Sequence, residues 1–238
     1  MAGHSRWAQV KHKKVLSDAK RGALFGKLVR LISAAAREGG ADPKTNTRLR
    51  TAIEQAREAG LPKDTIARAI ARVERGMSGE EAAGGEYEAY GPGGVAIFIE
   101  TITDNPNRTT SELKRILAAH GGKLAAAGSV ARLFLRRVTA EVRVTNGRTP
   151  SELAVIDAGA EDIETTDRTI RALVPPERFP AFQRSIEERG LRLEKTERAM
   201  IAANPLAPAP PERAAIQALI SALEDHPDVT AVWTNLAG

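Results

Sequence analysis

The chain has 238 residues, 42% hydrophobic and 27% charged, a composition of globular proteins that excludes disordered and fibrous ones. With no cysteine, it can have no disulfide framework, thiol nucleophile or Cys-ligated zinc. The net charge of +5 is unevenly placed: residues 1–75 carry 17 Lys and Arg against 7 Asp and Glu, the other 163 carry 18 against 23. A cationic module ahead of a mildly acidic remainder points to an anionic partner, nucleic acid or a phospholipid surface. No apolar run approaches the roughly 18–20 residues of a membrane span. The first residues carry charge without the apolar stretch of a secretory signal. A cytoplasmic, bacterial protein is expected, monomeric, with no cofactor and no metal.

The opening stretch "GHSRWAQVKHKKVLSDAKRG" (3–22) sets Arg6, Lys11, Lys13, Lys14, Lys20 and Arg21 against Asp18 alone, with Trp7, His4 and His12 among them. Three helices follow by apolar spacing. The first spans about 17–38, with Leu24, Leu28, Leu31, Ile32 and Ala35 on one side, and stops at Gly39-Gly40. Gly22 and Gly26 inside it either allow close packing or mark where it yields. The second, near 46–59, faces inward with Leu49, Ala52, Ile53 and Ala56. The third starts with Pro62 in its first turn, buries Ile66, Ala69, Ile70 and Val73, and ends at Gly76. Their stripes are narrow and rich in alanine, so the bundle is small.

A lysine run is most often a solvated face. Here cations recur on all three helices (Lys27, Arg48, Arg50, Arg57, Lys63, Arg68, Arg72) with too few acids to pair them. Phosphate neutralisation accounts for that better than solubility. Trp7 either stacks on a base or anchors the arm to the bundle. A membrane surface would require large apolar residues opposite the cations, and the stripes lack them.

The segment 76–85, "GMSGEEAAGG", has linker composition. A buried strand is expected at 94–101, then a helix with Leu113, Ile116 and Leu117 capped by Thr109 and Glu112, then a strand "SVARLFLR" at 129–136. "AEVRV" (140–144) alternates as a strand, and Thr149-Pro150-Ser151-Glu152 starts a helix running to about Gly159. Strands around Ile163 and at 169–174, a helix with Phe179, Phe182 and Ile186, and the strand "LRLEK" complete a βαββαβ ferredoxin-like order. After a proline-rich joint come a helix with Ile216, Leu219, Ile220 and Leu223 and the strand "VTAVW". An αβ pair cannot bury its faces alone. The expected fold is therefore α+β: a three-helix domain (1–76), then two ferredoxin-like α/β domains, one (138–204) inserted in the other (84–137 with 205–238).

Catalysis has little to stand on. The four histidines share no metal-ligand spacing, and neither a nucleophile elbow nor a Walker loop is present. "GPGG" (91–94) lacks the Lys-Ser/Thr of a phosphate loop and reads more simply as a turn before a buried strand. "TDNPNRT" (103–109) places Asn105, Asn107 and Arg108 where a strand meets a helix N-terminus, a seat for an anion. A helix cap explains the same residues equally well. The ferredoxin-like halves raise the RNA-recognition motif as a rival, but its paired sheet aromatics are missing. A small-ligand-binding or protein-interaction module with an accessory basic arm is the alternative to a nucleic-acid binder.

The stretches "AGHSRWAQVKHKK", "DAKRG", "AAREGGADPKTNTRLRTAI", "LPKDTIARAI", "YEAYGPGGVAI", "DNPNRT" and "GSVARLF" resemble, in order, those of the YebC family across nearly the whole chain. That family includes bacterial proteins described as probable transcriptional regulators and a mitochondrial translational activator. The resemblance implies a helical domain followed by two α/β domains. It also implies a non-enzymatic regulator contacting DNA or, for some members, ribosomal RNA, with the ribosome as a further partner. Carried over by position, its basic signature falls on Arg6, Trp7, Lys11, His12, Lys13, Lys14, Lys20, Arg21, Lys27, Arg48, Arg50 and Lys63. The chain departs from the family's pattern at Ala23, Gly26, Thr47, Pro106 and Arg132. Pro106 weakens the case for an anion seat in "DNPNRT".

Overall fold

The computed structural model describes residues 18–76, 83–144, 151–166 and 169–237. Residues 134–203 form one compact unit, and the described residues before and after them form another.

The larger unit begins with α1 (Asp18–Gly39), α2 (Thr47–Glu58) and α3 (Lys63–Glu74). Leu28, Ile32, Ala35 and Ala36 of α1 meet Leu49, Ala52, Ile53 and Ala56 of α2, with Leu61, Ile66 and Ala69 closing the core. The α2 stripe is the one its spacing predicts, while Ile70 and Val73 of α3 are only partly buried. Pro62 stands one residue before α3 rather than inside its first turn. Among the described residues nothing comes within 4 Å of where a Cβ would sit at Gly22 or Gly26, so packing against those residues does not explain them.

One buried side chain ties the first two helices together. Asn46 donates its amide to the carbonyls of Ala35 (2.8 Å) and Gly40 (2.7 Å), and its Oδ1 accepts from the backbone N–H of Leu49 (2.9 Å). It thereby satisfies orphan groups at the end of α1 and the start of α2 at once. Gly40, at φ +87°, supplies the left-handed turn between them.

The same unit continues into a four-stranded antiparallel sheet, in the order β3-β1-β2-β8. Its strands are β1 (Ala83–Tyr90), β2 (Ala96–Thr103), β3 (Lys123–Leu124) and β8 (Val229–Thr234). Helices α4 (Pro106–Ala119) and α7 (Pro210–Asp225) cover one face, where Ile97, Ile99, Leu113, Leu117, Ile216 and Leu219 are fully buried. Gly91 lies so close to α7 that a Cβ would come within 2.5 Å of Ile216 Cδ1, so "GPGG" is a packed turn. Helix α1 packs against β2 and β8 as well as within the bundle. Ala34, off the bundle stripe, is accordingly buried too.

The inserted unit holds β4 (Phe134–Val144), α5 (Glu152–Asp157), β5 (Asp162–Thr165), β6 (Ile170–Val174), α6 (Phe179–Glu188) and β7 (Leu191–Ala202). Its antiparallel sheet runs β5-β6-β4-β7, the ferredoxin-like order, over a core that includes Val142, Val155, Ile170, Phe182 and Ile186.

Several expectations change at the joints. Residues 129–136 are not one strand: 131–133 form a 3-10 turn, and the strand starts at Phe134 and runs unbroken through "AEVRV". It serves the inserted sheet, so the outer sheet draws on β1, which begins inside the stretch of linker composition. The outer unit has the same two layers as the inserted one but threads them differently, with a hairpin first. Helix α4 begins at Pro106, three residues before Thr109, and its cap is Asn105, whose side chain accepts from Arg108 N–H (3.0 Å). Ser151 precedes α5 without a side-chain cap bond, and Thr149 and Pro150 lie outside the described residues.

Where the chain leaves for β4, a buried carboxylate holds it. Glu88 of β1 accepts from the backbone N–H groups of Gly128 (2.6 Å), Ala131 (3.0 Å) and Val130. Burial pushes Glu88 up, but these backbone donors outweigh it and keep the carboxyl below its ordinary value.

Asn46→Asp should remove both amide donations and set a carboxylate against two carbonyls. We expect a loss of about 1–3 kcal/mol in the bundle, read as earlier loss of helical signal in urea unfolding followed by circular dichroism.

Candidate nucleic-acid interface

The residues singled out for phosphate contact fall into three groups. Arg6, Trp7, Lys11, His12, Lys13 and Lys14 lie outside the described residues. Lys20 and Arg21 are in the first turn of α1. Lys27, Arg48, Arg50 and Lys63 have described side chains, and they are spread over all three helices.

Lys27 does not face solvent alone. Its Nζ donates to the carbonyl of Glu224, in the last turn of α7, and Arg30 one turn on donates to the carbonyl of Pro227. These carbonyls have no intrahelical partner, and cations are favoured at that end of a helix. Arg48 pairs with Glu38. Arg50 donates to the hydroxyl of Thr47, at 3.4 Å. Lys63, at the first position of α3, is exposed.

The "TDNPNRT" loop is organised around a negative charge rather than open to one. Arg108 donates to Asp104 (2.9 Å) and to Asp228 (3.0 Å), while Asn105 is spent capping α4. The Asp228 side chain is 3% exposed and also accepts from the Thr109 hydroxyl (2.8 Å). Arg30 of α1 lies 3.9 Å from its other oxygen. Burial pushes Asp228 up, but donation from Thr109 and Arg108 outweighs it and holds the carboxyl below its usual range. Two carboxylates around one guanidinium leave the loop no positive charge to offer an anion.

Beside this cluster is a contact that sequence spacing did not reveal. Glu112, His226 and Asp228 bring three potential ligand atoms within 4.8 Å of one another. Glu112 and His226 lie 114 residues apart, so no local motif signals them. His226 Nδ1 accepts from Asp228 N–H (3.1 Å), which leaves Nε2 to donate to Glu112 (2.8 Å). Both ring nitrogens are engaged, and Arg108 is bonded to the neighbouring carboxylate. The arrangement suits a joint between α4, α7 and β8 better than a cation site.

The sheet of the inserted unit answers the question of base stacking. On β4, Arg137, Glu141 and Arg143 alternate with the core residues Ala140 and Val142. They pair with charges of other elements: Arg137 with Glu161 (2.7 Å), Arg143 with Glu194 (3.0 Å) and Glu141 with Arg171 (3.8 Å). The neighbouring aromatics, Phe179 and Phe182, stack on each other at 6.2 Å in and against the core. This is a self-neutralised surface, not a platform for bases.

Family comparisons match both parts of the chain. Residues 5–76 match the TACO1/YebC protein N-terminal domain, and residues 84–236 match the TACO1/YebC second and third domain. The chain belongs to the TACO1/YebC family. A relative in Pseudothermotoga lettingae is 43% identical over 99% of this chain and 93% of its own, and one in Dictyoglomus turgidum is 40% identical over 99% and 95%. Both are described as probable transcriptional regulatory proteins. The crystal structure of a conserved hypothetical protein from Aquifex aeolicus, 38% identical, covers 98% of this chain and 96% of its own at a TM-score of 0.80. Among the described residues of this TACO1/YebC chain, no helix is long and apolar enough to cross a membrane.

Two outcomes follow for the joint at Asp228. A carboxyl held below its ordinary value of about 3.9 contributes stability that is full above that value and lost as pH falls below it. Asp228→Asn should lower the melting temperature by several degrees at pH 7 and flatten the loss of stability between roughly pH 5 and pH 2. Replacing Lys27 and Arg30 together by Ala should speed amide hydrogen exchange along α1 while leaving β1 and β2 protected.

Proposed function

We propose that this protein is a non-enzymatic regulator of gene expression that acts in the cytoplasm by holding nucleic-acid phosphates with its helical module. The observation that carries the reading is the placement of charge. The cationic excess lies in residues 1–75, and the family's N-terminal domain matches residues 5–76, nearly the same stretch. Cations that exceed their acid partners across three helices and a preceding arm suit a polyanion better than a small ligand. Among the described residues, the cluster of Glu112 with His226 and Asp228 is spent on internal bonds.

Affinity of this kind is sequence-blind by itself. Base reading leans on Asn, Gln and Arg forks aimed at groove edges. Helix α3 offers arginine forks but neither Asn nor Gln, and the opening arm contains one Gln, Gln9. A large structured RNA, with ribosomal RNA first among them, supplies shape and several contact points at once, which suits such a protein. The relatives' description as probable transcriptional regulatory proteins favours DNA as the second reading.

The test is the salt dependence of binding. Lys11, Lys13 and Lys14 changed together to Ala should flatten the plot of log affinity against log salt by roughly two to three units, at about 0.9 per phosphate on duplex. All sequences should weaken alike. Co-sedimentation with ribosomal particles supports the RNA reading. A sharp footprint on one promoter that survives competitor RNA would establish the DNA reading in its place.

A further inference from the structure

Helix α3 carries a charge pattern that its fold does not need. Arg68, Arg72 and Arg75 follow one another at spacings of four and three residues, which places them on one side, with rises of about 6 and 4.5 Å along the axis. That side is opposite the stripe of Ile66 and Ala69, and all three residues are exposed. Among the described residues none of them has a carboxylate in ion-pair range. Arg68 is instead oriented by neutral groups, with Nε donating to the carbonyl of Asp64 (3.2 Å) and a terminal nitrogen to the Thr65 hydroxyl (3.2 Å).

A plain solvated face explains this less well. The helix dipole favours cations in the last turn, which accounts for Arg72 and Arg75 but not for Arg68 in the second turn. Like charges four residues apart work against the helix. All three are arginine, whose fork matches phosphate geometry, where lysine would serve solubility equally. Elsewhere in the bundle Lys27, Arg30 and Arg48 are engaged internally; Arg57 and Lys63 are exposed as well, but Arg68, Arg72 and Arg75 share one side of a single helix.

We propose that Arg68, Arg72 and Arg75 form a ridge on which α3 receives the phosphate backbone of an RNA double helix. This rests on the nucleic-acid reading above and adds the face and the form of the partner to it. RNA is favoured over DNA by what accompanies the arginines. Helix α3 carries no Asn or Gln beside them, the side chains that read adenine in a major groove, and A-form RNA is recognised mainly by shape and backbone.

Binding of fluorescein-labelled RNA and DNA duplexes of matched sequence, measured by anisotropy across a salt series, decides the matter. Arg68, Arg72 and Arg75 changed together to Gln should lose at least tenfold in RNA affinity and flatten the salt slope by two to three units, about one per phosphate. The same three changed to Lys should keep the slope and lose part of the affinity. A control of equal charge, Lys114, Arg115 and Lys123 to Gln, should leave both unchanged. Circular dichroism establishes that each variant is folded. If the native protein binds RNA and the ridge variant matches it, the ridge is a solvated face and this proposal falls while the broader reading stands. Tighter binding to DNA than to RNA, with the ridge variant losing both, overturns RNA as its partner. No binding of either duplex by the native protein removes the nucleic-acid reading itself.

Discussion

The end of α7 must be satisfied before the larger unit can close. Its final carbonyls emerge beside the buried Asp228, so one short loop presents both orphan acceptors and a buried negative charge. A buried carboxylate is not tolerable away from water without donors, and the half-exposed carbonyls beside it take donors too. The chain supplies them from two directions, Arg108 and Thr109 from α4 and Lys27 with Arg30 from α1. The helical bundle is thus joined to the sheet by charge and hydrogen bonding as well as by apolar packing. That constraint also explains why α1 is so rich in alanine: it is covered on the bundle side and again near β2 and β8.

The same economy sorts the basic residues. A lysine in a cationic domain looks like a phosphate contact until its neighbours are known, and Lys27 shows how that inference fails. Its partner is a backbone carbonyl 197 residues away, an acceptor that no side-chain pattern advertises. Arg48 is offset by Glu38 across the turn between α1 and α2. Net charge marked the stretch that the family's N-terminal domain matches but not which of its side chains are paired, because pairing is decided by tertiary geometry.

Periodicity carried most of the fold. The inward faces of α1, α2, α4, α6 and α7 could be read from apolar spacing, and the βαββαβ order of the inserted unit followed from alternation and turn residues. The failures cluster where composition and structure disagree. Strand β1 hid because "AGGEYEAY" begins with small residues that read as linker, yet it is held by pairing with β2 along its whole length. The boundary of the inserted unit slipped because "FLRRVTAEVRV" is one strand with a weakly patterned middle. Thr109 looked like a cap and is a buried hydrogen-bond donor, since the residue before Pro106 had already taken that role. For the site, the cationic module was legible and the Glu112–His226–Asp228 joint was not, as its members meet only in three dimensions.

The pairing of β2 sets an order of events for synthesis. Its partner on one side, β1, precedes it in sequence, so that hairpin can form at once. Its partner on the other side is β8, and Thr230 bonds a residue 130 positions earlier. Closing so distant a pair carries a loop entropy that local hairpins avoid, and such contacts form late. Until β8 is made, the apolar flank of β2 lacks its neighbour and α1 lacks the carbonyls that its lysine and arginine hold. A nascent chain therefore passes through a stage with its basic helices made but undocked. The docked geometry of α1 is reached only once residues 224–234 have emerged, so it follows β8 rather than the helices themselves.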